Sequence, residues 1–137
     1  MSSEQPETSA SSETRISTIL LVEDDEDIGE FIAQALKDET PHTVLHVTDG
    51  KRALEAVHSV KPSLFILDYQ LPGINGIELH DRLHAIEELE AIPTLLVSAN
   101  FPSRKEMQQR HIAFLKKPFD LNELFKVIEK LLGRQEK

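Results

Sequence analysis

Asp68 ends the apolar run Leu64-Phe65-Ile66-Leu67, and a turn follows at once in Gln70-Leu71-Pro72-Gly73. The same design occurs earlier, where Ile19-Leu20-Leu21-Val22 runs into Glu23-Asp24-Asp25. Leu95-Leu96-Val97 leads to Ser98, and Phe114-Leu115-Lys116 leads to Lys117-Pro118. An acid pair, an acid, a hydroxyl and an ammonium at four strand ends make one site if those ends converge. Glu23, Asp24 and Asp68 offer oxygen only, which favours a hard cation, Mg2+ or Mn2+. Three carboxylates together also demand one, since two unit charges about 4 Å apart repel by about 4 kcal/mol near a protein surface. With Lys117 adding positive charge and Ser98 a hydrogen bond, central Asp68 is placed as a nucleophile toward a phosphoryl group.

The elements that would position these residues alternate along the chain. Apolar runs at Ile19–Val22, Thr43–Val47, Leu64–Leu67, Thr94–Val97 and Ala113–Leu115 predict strands, and the first, third and fourth are continuously apolar, as in parallel strands covered on both faces. Between them Ile28, Phe31, Ile32, Ala35 and Leu36 predict an amphipathic helix, as do Leu121, Leu124, Phe125, Ile128, Leu131 and Leu132. A second helix carries Ala53, Leu54 and Val57, and a third, after the Gly73–Gly76 loop, carries Leu79, Leu83 and Ile86. Ser103–Gln109, polar except for Met107, is the weak element. Asp120 is suited to cap the last helix and Gly133 to stop it. Five βα units predict an α/β, doubly wound, five-stranded parallel sheet with helices on both faces. Such sheets bind ligands beyond the carboxyl ends of their strands, where Glu23, Asp24, Asp68, Ser98 and Lys117 fall.

The chain has 137 residues, enough for one domain. Residues 1–15, rich in Ser, Glu and Thr, are expected to be a disordered tail; 16–134 form the domain and 135–137 its end. With neither a basic start nor an apolar stretch, the tail does not resemble a signal peptide. No membrane-length apolar run and no cysteine occur, so a cytoplasmic protein without disulfides or thiolate metal sites is expected. The net charge of −9 argues against unspecific nucleic-acid binding. It is uneven: residues 101–137 carry nine Lys/Arg against five Asp/Glu, and residues 1–100 six against nineteen. The acidic part contains the candidate metal site; the basic part is a candidate docking surface, but for most of these side chains ordinary solvated helix faces are the better reading.

In the order and spacing of these motifs, residues 17–133 resemble a receiver domain of a two-component response regulator. That resemblance implies the flavodoxin-like (βα)5 receiver fold, strand order 2-1-3-4-5. It implies Asp68 as phosphoacceptor, taking a phosphoryl group from a histidine kinase or a histidine phosphotransfer protein. It implies Mg2+ (or Mn2+) held by Asp24, Glu23, Asp68 and the backbone carbonyl of Gln70. Lys117 and Ser98 complete the phosphoryl site. Ser98 and Phe114 take the switch positions, acting on the helix 4/strand 5/helix 5 surface. Gln70 and Asn100, each two residues past a site residue, are expected to set the lifetime of the phosphoryl bond. The Lys117–Pro118 peptide is cis in similar proteins. The family implies no classical enzyme, only self-phosphorylation and slow autodephosphorylation. Output is expected through an unknown downstream effector protein, with no direct nucleic-acid or membrane contact. Ser98 to Lys117 spans fewer residues than the family pattern, and Arg110-His111-Ile112 replaces its usual turn, so a short fourth helix is expected.

Each of these residues has a plainer reading by itself. Acids at 24–27 suit a helix N-terminus, the role given to Asp25 and Asp27; Asp68 suits a turn; Phe114 suits a core. His80 and His84, four apart on a helix, echo a zinc-protease segment, but no third ligand is evident and that helix reads as surface-bound. An aspartate-nucleophile phosphatase would want an acid two residues after Asp68, where Gln70 stands, and a substrate cap. A flavodoxin-like electron carrier would want a phosphate loop where Glu23-Asp24-Asp25 stands. The alternative kept is a phosphorylation-independent, receiver-like scaffold that binds a partner protein.

Overall fold

A computed structural model describes residues 16–100 and 102–135. The Ser-rich segment 1–15 lies outside the described residues. Five parallel strands form one sheet: β1 (Thr18–Val22), β2 (Thr43–Val47), β3 (Leu64–Asp68), β4 (Thr94–Ser98) and β5 (Ala113–Lys116), in the spatial order β2-β1-β3-β4-β5. The helices are α1 (Glu26–Glu39), α2 (Gly50–Ala56), α3 (Gly76–His84), α4 (Arg104–Gln109) and α5 (Leu121–Gln135). A two-residue ladder, Gln70–Leu71 against Ile74–Asn75, stands between β3 and α3.

Alternation along the strands divides the core in two. Ile19, Leu21, Ile66, Leu95 and Val97 face α1 and α5, meeting Ile32, Leu36, Leu124 and Ile128. Leu20, Val22, Phe65, Leu67 and Leu96 face the other way, onto α2, α3 and α4. Both layers are needed because each central strand is apolar on both faces. Every residue of β3 and β4 is buried, and a fully buried Leu or Ile contributes about 1.5–3 kcal/mol.

Local chemistry sets the helix starts. Asp25 accepts from the Ile28 amide at 3.0 Å, and Glu26 and Asp27 follow in the favourable first turn. Asn75 and Glu78 form a reciprocal capping box for α3, as Asp120 and Glu123 do for α5. α4 spans six residues, with Ser103 as cap and Met107 as its buried anchor.

Three expectations are corrected. The inner stripe of α1 is Gly29, Ile32 and Leu36, while Ile28 is 43% and Phe31 62% exposed. The inner face at Gly29 meets the His46 ring, where a Cβ would overlap the imidazole. α3 ends at His84, so Ile86 falls in the following turn. α5 runs past Gly133 to Gln135, so Gly133 lies inside the helix rather than at its stop.

Candidate functional site

In-register pairing brings the strand ends together. Val22 pairs with Leu67, Asp68 with Val97, and Ser98 with Lys116. Glu23, Asp68, Ser98 and Lys117 therefore emerge along the same edge of the sheet. Glu23 and Ser98 are each 3% exposed and Asp68 6%, while Asp24 faces solvent.

Lys117 ties this edge together. Its Nζ donates to Glu23 Oε1 at 3.1 Å and to Asp68 Oδ2 at 3.1 Å. Its backbone N–H donates to the Ser98 carbonyl at 2.8 Å, and its peptide to Pro118 is cis. The other carboxylate oxygens are also held: the Asp25 N–H donates to Glu23 Oε2 at 3.1 Å, and the Gln70 N–H to Asp68 Oδ1 at 3.2 Å. The main chain of Glu23 is fixed from β2, its N–H donating to the Val47 carbonyl and its carbonyl accepting from His46 Nε2 at 2.9 Å.

Burial pushes the Glu23 carboxyl above its ordinary value and the Asp68 charge adds to this, against the Asp25 amide and Lys117. Burial also opposes the charge on Lys117, but the Asp68 charge and the bonds to Asp68 and Glu23 outweigh it, and its ammonium is held above the usual lysine value.

One oxygen each from Glu23, Asp24 and Asp68 lie within 4.8 Å of one another. Two oxygens on opposite sides of one Mg2+ are about 4.2 Å apart, from bonds of about 2.1 Å. The all-oxygen donor set fits a hard divalent cation completed by water, and a small inward turn of the exposed Asp24 side chain would bring the oxygens to that separation.

The remaining sequence candidates lie around this centre. Ser98 Oγ accepts from the Asn100 N–H at 3.2 Å. Gln70 and Asn100 are exposed and are tied to the site by their main-chain amides. Phe114, half-buried on β5, pairs with Leu96 and packs into the α2–α4 layer. By alternation Ser98 points to that same side of β4. His80 and His84 lie away from this edge. His80 is buried, contrary to the surface placement expected of its helix, and its Nδ1 lies 2.8 Å from Thr94 Oγ1. His84 turns Nδ1 to the His80 carbonyl and Nε2 to the Ile92 carbonyl, at 2.7 and 2.6 Å. Those nitrogens serve the fold, because α3 packs this face onto β4.

Two contributors were not singled out from sequence. Gly76 lies under the site, where a Cβ would sit 2.6 Å from the Asp68 carbonyl oxygen and 2.5 Å from Leu96 Cδ1. Its signal was a glycine at a helix start, which reads as turn chemistry until the neighbouring strand is placed. His46 gave no signal, being a lone histidine in a strand.

A family model described as "Response regulator receiver domain" matches residues 19–129. Response regulator ArlR of Staphylococcus epidermidis is 32% identical over 123 residues, covering 88% of this chain and 54% of the relative. The uncharacterized transcriptional regulatory protein YrkP of Bacillus subtilis is 37% identical over 110 residues, 77% of this chain and 45% of the relative. The chain thus spans about half the length of these curated relatives. Among solved structures, the receiver domain of a sensor histidine kinase from Pseudomonas aeruginosa superimposes with a TM-score of 0.74 at 25% identity, covering 85% of this chain and 98% of that one. That domain is described with a magnesium ion coordinated in its active-site cleft.

Proposed function

The chain belongs to the response regulator receiver domain family, and from that premise we propose that Asp68 is the phosphoacceptor of a two-component phosphorelay. The supporting observation is the Lys117 ammonium bonded at once to Asp68 and Glu23, with Asp24 within ligand range. A carboxylate oxygen of Asp68 forms the new P–O bond while the P–N bond to a donor imidazole breaks and its electron pair returns to the ring nitrogen. The donor is a histidine kinase or histidine phosphotransfer protein.

Asp24, Glu23, Asp68 and the Gln70 carbonyl would hold Mg2+, which supplies positive charge opposite the phosphoryl oxygens. Lys117 supplies the rest from the protein side and keeps its charge in the working range. Ser98 donates to a phosphoryl oxygen once one is present. Its movement opens the space on its own face of β4 into which Phe114 turns, and the α4/β5/α5 surface then changes its preference for a downstream effector protein. Gln70 and Asn100 border the approach of water and set how long the phosphoryl bond lasts. The domain is a signalling module rather than a classical enzyme, in keeping with its family. Among the described residues no helix is long and apolar enough to cross a membrane; a cytoplasmic site of action is part of the reading.

Incubation with acetyl phosphate, with and without Mg2+, followed by intact-mass measurement tests this. One phosphoryl group gained only with Mg2+, and lost in Asp68→Asn, is the expected result. No gain and no Mg2+ binding would instead favour the phosphate-independent scaffold.

A further inference from the structure

The β1–α1 acids are held by a side chain from outside the acidic cluster. Glu23 stands where the β1–β2 ladder runs out: its N–H donates to the Val47 carbonyl, and Val47 is the last residue of β2. The Glu23 carbonyl accepts instead from the His46 ring, with Nε2 to oxygen at 2.9 Å. A carbonyl only accepts, so Nε2 is the donor in this bond. Room for the ring comes from α1, where a Cβ built on Gly29 would fall on His46 Nε2 and Cε1. Gly29 is itself bonded to the same loop, its N–H donating to the Asp25 carbonyl at 2.9 Å. One imidazole is therefore seated between β2 and α1 with its proton on the main chain of a buried acid.

That carbonyl belongs to the peptide joining Glu23 to Asp24, so its direction sets how both side chains leave the strand. We infer that His46 is a positioning residue for the divalent-cation site: it orients the Glu23–Asp24 peptide, and Gly29 gives it the space to do so. This deepens the proposed function and rests on Glu23 and Asp24 holding the cation. Groups that orient a ligand from behind typically change metal affinity by about 10–100-fold, and one acting through a peptide belongs near the lower end.

The test uses Mn2+ as probe, its binding followed by electron paramagnetic resonance at fixed pH on the whole chain. His46→Leu fills the space without a donor and is expected to weaken Mn2+ binding about tenfold. His46→Gln keeps an N–H donor of similar reach and is expected to stay within about threefold of the unaltered chain. Gly29→Ala, which displaces the ring without touching it chemically, should weaken binding as His46→Leu does. Amide exchange in metal-free buffer gives a second reading: the Asp25 N–H, bonded to the Glu23 carboxylate, should exchange faster in His46→Leu and not in His46→Gln. Equal Mn2+ affinity in His46→Leu and the unaltered chain, or equal losses in the Leu and Gln variants, would overturn the positioning role alone. No Mn2+ binding by the unaltered chain would instead overturn the cation site, and this inference with it.

Discussion

Lys117 Nζ lies 3.1 Å from Asp68 Oδ2, and the same ammonium reaches Glu23. It thereby neutralises the acids that a divalent cation would neutralise. Lysine and cation are competitors for charge before they are partners in chemistry.

Lys117→Ala should expose that competition. In metal-free buffer two buried acids lose their ammonium, and unfolding stability should fall by about 1–3 kcal/mol, discounted because Lys117 is partly exposed. Mg2+ affinity should stay the same or rise, while phosphoryl uptake slows. Urea unfolding in chelator and in Mg2+, beside a Mg2+ titration, checks both; an unchanged metal-free stability would remove the structural half of the argument.

The raised carboxyl of Glu23 makes cation binding depend on pH. A carboxyl raised in the folded chain lends stability below its unfolded value, near 4.5, and that stability is lost as pH rises through the folded value. Above it the buried charge is the form a cation needs. The rise in melting temperature on adding Mg2+ should therefore be larger at about pH 7.5 than at about pH 5. Glu23→Gln should shrink that rise and flatten its pH dependence. An equal Mg2+ effect at both pH values in the unaltered chain would count against Glu23 as a ligand.

Gly76→Ala should disturb the site from below. Its new methyl group meets Leu96 Cδ1 at 2.5 Å and the Asp68 carbonyl oxygen at 2.6 Å, and the latter is backbone that cannot turn aside. A loss of about 1–3 kcal/mol is expected, with weaker Mg2+ binding. Gly133→Ala is the control: nothing lies within 4 Å of its Cβ, and inside α5 the change should stabilise by up to about 1 kcal/mol. Equal effects at the two glycines would show that helix propensity, not crowding, governs both.

His80 should steepen acid unfolding. Burial lowers its pKa from 6.5 to about 4, and His84 and Arg110 push the same way against Asp81. A group depressed in the folded state binds fewer protons there than when unfolded, so its stability is present above pH 6.5 and is lost as pH falls toward 4. The full loss is on the order of 3 kcal/mol. His80→Asn, which does not titrate, should show a shallower fall across that window in urea unfolding. Parallel pH profiles for the two chains would assign the acid limb to other groups.

Much of the fold was legible because strand and helix periods are local. The runs at 64–67 and 94–97 are apolar at every position, which only strands covered on both faces require. The cap at Asp120 was readable because a cap is decided within three residues, whereas Asp25 was legible only as an acid at a helix N-terminus and its capping bond to Ile28 came from the structure. The inner stripe of α1 was not legible because Ile28 and Phe31 fit the helical period as well as Gly29 does, and the contact of Gly29 with a ring from β2 lies outside the helix's own sequence.

The sequence by itself determined which chemical groups end each strand, since a run of apolar residues and the polar residue that stops it are neighbours in the chain. Only the tertiary structure decided which of those groups touch. Lys117 meets Glu23 across 94 residues and Asp68 across 49, and His46 meets Glu23 across 23. Those contacts depend on the strand register and on how close each helix lies to the sheet. Both are set by packing over the whole domain, where a missing Cβ at Gly29 admits the His46 ring and one at Gly76 admits the Asp68 main chain.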